Sequence, residues 1–166
     1  MKGYIPIEIP TKKYIKAYLL SELGEKPLMS TDNRIGSKLY DILCHTTNER
    51  RKEFSNVRYD SRLKIYVNHH VFNHRGGILN ETNTKNFNLF VENEITERYR
   101  MYMDFYIQMM PSFEANLPQV RQHLGIDLEA WSDDSIKKDY YRYRVRNGMP
   151  LFYKSVLPSQ HIDFGF

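Results

Sequence analysis

Cysteine is almost absent from this chain of 166 residues. The one thiol, Cys44, has no partner for an intramolecular disulfide, which excludes a disulfide-stapled scaffold. It sits among Leu39, Tyr40, Ile42 and Leu43, where a free thiol behaves as a small buried hydrophobe, and this favours a reducing, cytoplasmic compartment. No stretch approaches the run of about 20 apolar residues that a membrane span needs, and the apolar part of Met1–Lys13 is too short and interrupted for a secretory leader. Tryptophan occurs once, at Trp131, against 13 tyrosines and 9 phenylalanines. Tyrosine suits surfaces that are part apolar and part wet, so this skew favours contact with a protein or nucleic-acid partner.

Catalytic signatures are missing too. The chain has no glycine-rich phosphate loop, G-x-S-x-G, C-x-x-C or carboxylate cluster of metal-site form, so neither an enzyme, a cofactor nor a metal is expected. Repeats, low-complexity tracts and linkers are also lacking, which leaves one domain over residues 1–166. Net charge is +4 and neither end is a basic tail: 11 basic residues face 8 acidic ones in 1–60, 6 face 5 in 61–110, and 7 face 7 in 111–166. Within the last segment, however, most acids precede Ser135, while Lys137, Lys138, Arg142, Arg144, Arg146 and Lys154 follow it.

The hydrophobic pattern predicts an α+β fold that is mainly helical. Tyr4–Ile9 alternates as an edge strand, since Pro6 and Pro10 cannot donate to a ladder. Thr11 is placed to cap a helix carrying Tyr14, Ile15, Tyr18, Leu19 and Leu23 and stopped by Gly24. Asp32 or Asn33 caps a second helix with Ile35, Leu39, Ile42 and Leu43. The charged stretch from Asn48 to Arg58 reads as a helix end or loop. Arg62–Phe72 is the best strand, with His70 on one face with Phe72 and His74 continuing that face, and Gly76-Gly77 forces a turn after it. A long central helix follows from about Thr82 to Met110, with the stripe Phe87, Val91, Ile95, Tyr99, Tyr102, Tyr106, Met109, and Pro111 ends it.

A helix-turn-helix-like hairpin is expected over about 116–147. Leu117, Val120 and Leu124 form a short helix closed by Gly125, and Ser132 caps a second helix whose inner face is Ile136, Tyr140 and Tyr143. Lys137, Lys138, Tyr141, Arg142 and Arg144 then fall on its outer faces, with Arg146 near its end, and these six residues are the candidate DNA contacts. The connection of about seven residues is long for this motif, Arg121 stands where a small residue is usual, and Asp133 and Asp134 occupy the end that usually reads bases. An ordinary helical hairpin with a solvated basic face is the competing interpretation.

Tyr4-Ile-Pro-Ile-Glu-Ile-Pro-Thr-Lys-Lys-Tyr-Ile-Lys-Ala-Tyr, Phe87-Asn-Leu-Phe-Val-Glu and Leu124-Gly-Ile-Asp-Leu-Glu-Ala-Trp-Ser-Asp-Asp-Ser-Ile-Lys-Lys-Asp-Tyr-Tyr-Arg-Tyr-Arg resemble a family of Bacteroidetes prophage and mobile-element proteins described as DNA-binding. The resemblance covers nearly the whole chain and implies a non-enzymatic DNA-binding protein, with DNA as partner, but carries over no site residues. Two alternatives stand beside it. One is a protein-interaction or assembly factor of a mobile element, in which a homo-oligomer would be natural. The other is a metal-dependent histidine–tyrosine nickase using His70, His74 and one of Tyr99, Tyr102 or Tyr106, although the usual His-hydrophobic-His triplet is absent.

Overall fold

A computed structural model describes residues 3–45 and 59–150. The charged stretch Asn48–Arg58, Lys154 and the tail lie outside those residues. Among the described residues the order is β1 (Tyr4–Thr11), α1 (Lys13–Leu23), α2 (Arg34–Ile42), β2 (Ser61–Asn68), α3 (His69–Arg75), α4 (Glu81–Met109), α5 (Phe113–Leu124) and α6 (Asp133–Arg146). The chain is therefore α+β and mainly helical, with a long central helix and a small sheet. None of its described helices is long and apolar enough to cross a membrane.

β1 and β2 pair antiparallel from Tyr4↔Asn68 to Thr11↔Ser61. Alternation sends Ile7, Ile9, Leu63, Ile65 and Val67 into the core. Pro6 lies opposite Tyr66, whose polar groups point to the other edge: its N–H donates to the Pro27 carbonyl at 2.8 Å and its carbonyl accepts from Met29 N–H at 2.9 Å. A residue without an N–H is thus tolerated there.

Several expected boundaries move. Thr11 is not a cap but the last, buried residue of β1. The start of α1 is met from outside, by Asp60 Oδ1 accepting from Lys13 N–H at 2.9 Å. The strand at Arg62 stops at Asn68 rather than Phe72, because the Asn68 side chain accepts from Val71 N–H at 2.8 Å and opens α3. His70 and His74 therefore lie on a helix and not on a strand face. Asn33 and Asn80 cap α2 and α4 in the same way, each accepting at 2.7 Å. Glycine is demanded at Gly36, where a Cβ would lie 1.9 Å from the Ser30 carbonyl oxygen. It is demanded again at Gly76, with φ of +83° and a Cβ position 2.2 Å from the Cys44 carbonyl oxygen.

Along α4 the buried row is Phe87, Val91, Ile95, Tyr99, Met103 and Ile107, a strict four-residue step. Each such step overshoots a full turn by about 40°, so the row winds around the helix as it runs. Its first half faces the sheet, α1 and α2, and its second half faces α5. The expected stripe instead followed Tyr102, Tyr106 and Met109, yet the two tyrosines are half-buried and Met109 is 64% exposed.

Candidate nucleic-acid interface

α6 is positioned by phenols and carboxylates as well as by apolar contact. Ile136 and Tyr140 are buried and Tyr143 is half-buried. Asp104 of α4 accepts from the Tyr140 hydroxyl at 2.6 Å and from the Tyr143 hydroxyl at 2.9 Å. One turn earlier, Arg100 donates to both oxygens of Asp139 at 2.8–3.1 Å, and the Tyr99 hydroxyl donates to the same carboxylate. The guanidinium of Arg100 also lies 4.9 Å from the centre of the Tyr143 ring. Burial pushes the Tyr99 and Tyr140 phenols well above their ordinary range, and the carboxylates they donate to add to that shift. Tyr143 moves the same way for the same reasons. These hydroxyls are held as donors, which is a structural role and the opposite of a nucleophile's requirement.

Arg144 belongs to this network and not to an outer face. It is 7% exposed, donates from Nε to the Pro150 carbonyl at 2.8 Å and from Nη1 to the Tyr140 hydroxyl at 3.0 Å, and approaches Asp104 to 3.8 Å. Helical periodicity counts arginine as polar and so points it outward. Here the half-buried Asp104, the Tyr140 hydroxyl and the returning chain at Pro150 supply enough partners to hold the cation inside.

The helix pair α5–α6 starts earlier than expected, at Phe113 under a Ser112 cap that accepts from Ala115 N–H at 3.3 Å. Residues 125–132 connect the two helices, a longer path than the three- or four-residue turn of a helix-turn-helix. Arg121 explains how that path is held. Its guanidinium donates to the Asp127 carbonyl at 2.7 Å, to Asp133 Oδ1 at 2.5 and 3.1 Å, and to the Trp131 carbonyl. A small residue there would lose every one of these bonds. Trp131 in turn stacks on Tyr14 at 5.1 Å and meets Tyr99 edge-on at 5.4 Å, fixing the connection to α1 and α4. Ser132 stands at the N-cap, but its hydroxyl donates to Ser135 Oγ at 2.9 Å and makes no backbone cap bond.

The six candidate contacts therefore divide. Lys138, Arg142 and Arg146 are exposed, follow one another at four-residue steps, and make no ion pair among the described residues. Lys137 pairs with Glu114 of α5 and lies 5.9 Å from the centre of the Tyr141 ring, while Tyr141 is half-buried and stacks on Phe113 at 6.5 Å. That pairing holds the Glu114 carboxyl below its ordinary range and the Lys137 ammonium above its own. Arg144 is inside. At the start of α6 Asp133 is tied to Arg121 and Asp134 is exposed, so negative charge marks the first turn and positive charge follows it from Lys137 onward.

Elsewhere, His70 and His74 contact each other on α3, whereas Tyr102 and Tyr106 stack on His123 of α5 at 5.0 and 5.8 Å. Met101, Phe105 and Met109, 58%, 56% and 64% exposed, form an apolar row on α4 beside those tyrosines. No signal in the single sequence separated this open row from the buried one, because both repeat every four residues. No protein-family model matches the chain, and no curated protein and no solved structure resembles it significantly.

Proposed function

We propose that this is a non-enzymatic DNA-binding protein, with a regulatory role in a prophage or mobile element, and that it meets the DNA backbone through the outer face of α6. The observation that carries this reading is the row Lys138, Arg142, Arg146: three exposed cations on one helix face, unpaired among the described residues. Successive members are about 6 Å apart along the helix axis, so the row offers a cation at each turn to a line of phosphates. The network of Asp104, Asp139, Arg100 and three tyrosines holds that face rigid, which spares ordering entropy on binding. The proposed contact runs from Lys138 to Arg146, beyond the first turn, where Asp134 repels phosphate.

Fluorescence anisotropy with labelled random duplex and single-stranded DNA tests it, at two salt concentrations. Neutralising three phosphates gives a slope of log affinity against log salt near −2.7 on duplex. Lys138→Ala/Arg142→Ala/Arg146→Ala should abolish the salt-sensitive binding. No binding at micromolar protein would sink the proposal.

A second reading, a protein-interaction or assembly factor, is favoured by the exposed row Met101, Phe105, Met109 beside Tyr102 and Tyr106. Methionine and aromatic residues are enriched at protein interfaces, and methionine adapts to varied partners. Such an apolar contact would respond little to salt.

A further inference from the structure

The Asn68 end of β2 carries a second, separate feature. Because β2 stops at Asn68, His70 and His74 become residues i and i+4 of α3. On a strand they would have been about 13 Å apart along the chain, with Phe72 between them. On a helix they share one face, with Cβ atoms about 5–6 Å apart. Their ring centres are 4.4 Å apart and their planes are inclined by 60°.

We propose that His70 and His74 form a two-imidazole site for one divalent transition-metal ion, of the copper(II) or nickel(II) class. With metal–nitrogen bonds of about 2.0–2.1 Å, two imidazoles at right angles around one ion have ring centres about 4.5 Å apart, whereas a tetrahedral pair needs about 5.2 Å. The observed spacing fits the right-angled arrangement, which is that of tetragonal nitrogen and oxygen sites. Both histidines are exposed, and no hydrogen bond or ion pair among the described residues engages either ring. His45 is close by but uses its Nε2 on the His74 carbonyl, 3.0 Å away, which steadies the last turn of α3 and leaves the His74 ring open. The neighbouring cation, Arg75, is drawn aside onto the Tyr40 ring at 4.5 Å. No third histidine, cysteine or carboxylate joins them in a metal-binding group among the described residues, so the two imidazoles are the ligands this assignment rests on.

The short helix is braced for this. Asn68 caps its start, and at its end Gly76 N–H donates to the Phe72 carbonyl at 2.7 Å. Beyond it the bridge between Cys44 and Ile78, with bonds of 3.1 and 3.2 Å, ties the exit to the end of α2. The two rings are thus presented from a braced turn, which reduces the entropy lost when both bind one ion.

Titration of the full chain with copper(II) or nickel(II) chloride, followed by calorimetry and, for copper, by electron paramagnetic resonance, tests the site. The expected result is one ion per chain at about micromolar affinity, with nitrogen couplings in the copper spectrum. His70→Ala and His74→Ala should each weaken binding by about tenfold or more, whereas His69→Ala and His123→Ala should not. Each variant changes an exposed side chain, so circular dichroism should confirm an intact fold. Binding only at millimolar metal would overturn the assignment. Equal loss in His69→Ala or His123→Ala would also overturn it, as the mark of an adventitious ion only.

Discussion

The two halves of α4 are held in different ways. The first half buries Phe87, Val91 and Ile95 against the apolar face of the sheet and against α1 and α2. The second half meets α6 through Tyr99, Arg100 and Asp104, whose partners are Asp139, Tyr140, Tyr143 and Arg144. Hydrophobic contact is non-directional, and its strength follows area. A phenol–carboxylate network instead holds one geometry, because each group satisfied in place leaves a desolvated partner if it moves. The first half thus contributes mainly apolar burial, whereas the second, besides burying Met103 and Ile107, places the face that carries Lys138, Arg142 and Arg146.

The sharpest way to break this comparison is at its apolar end. Phe87→Ala should cost about 3–5 kcal/mol through lost burial and a residual cavity. Chemical denaturation should show a lower midpoint at an unchanged slope. Next in size is Arg144→Ala, which removes a buried cation together with its bonds to the Tyr140 hydroxyl and the Pro150 carbonyl and its attraction to Asp104. The partial exposure of Asp104 brings its cost to about 2–3 kcal/mol, below the range for a fully buried pair. The same denaturation experiment reads it, and a cost under half a kilocalorie would show that the network does not hold α6.

Alkaline pH sharpens the contrast further. Burial pushes the Tyr18 phenol up to about 12, and Tyr99, Tyr140 and Tyr143 are shifted the same way. A phenol whose value is higher folded than unfolded stabilises the fold below its unfolded value, near 10, and loses that contribution as pH rises through the folded one. Stability should therefore be level up to about pH 9 and fall above pH 10. Tyr140→Phe should flatten part of that fall; an unchanged alkaline limb would remove Tyr140 from the titrating set. The smallest expected effect on stability belongs to Lys138→Ala/Arg142→Ala/Arg146→Ala, within about 0.5 kcal/mol per site, as usual for exposed residues. Salt-sensitive DNA binding should nevertheless disappear. A large loss of stability would mean that these cations belong to the network after all.

Much of the frame was legible in the residues. The central helix follows from apolar residues at three- and four-residue steps, and Asn33, Gly24 and Gly125 mark helix ends as their backbone chemistry suggests. The overrun of β2 was legible in principle, since an asparagine before a short polar helix is a cap signal. Alternation through Val71 and Phe72 masked it. Of the candidate DNA face, Lys138, Arg142 and Arg146 were legible as exposed cations, but Arg144 was not, because its burial depends on Asp104 some forty residues away.

The sequence by itself determined the local matters: which segments coil, where asparagine and glycine end them, and which side chains prefer the core. Those are properties of backbone sterics and short-range hydrogen bonding, which act within a few residues. Only the tertiary structure decided which way Arg144 points, that Arg121 holds the α5–α6 connection, that the buried row winds around α4 while Met101, Phe105 and Met109 stay open, and that His70 and His74 meet. Each of these depends on partners brought from distant parts of the chain, and the free energy of a buried charge or a packed ring is set by those partners rather than by its neighbours in sequence.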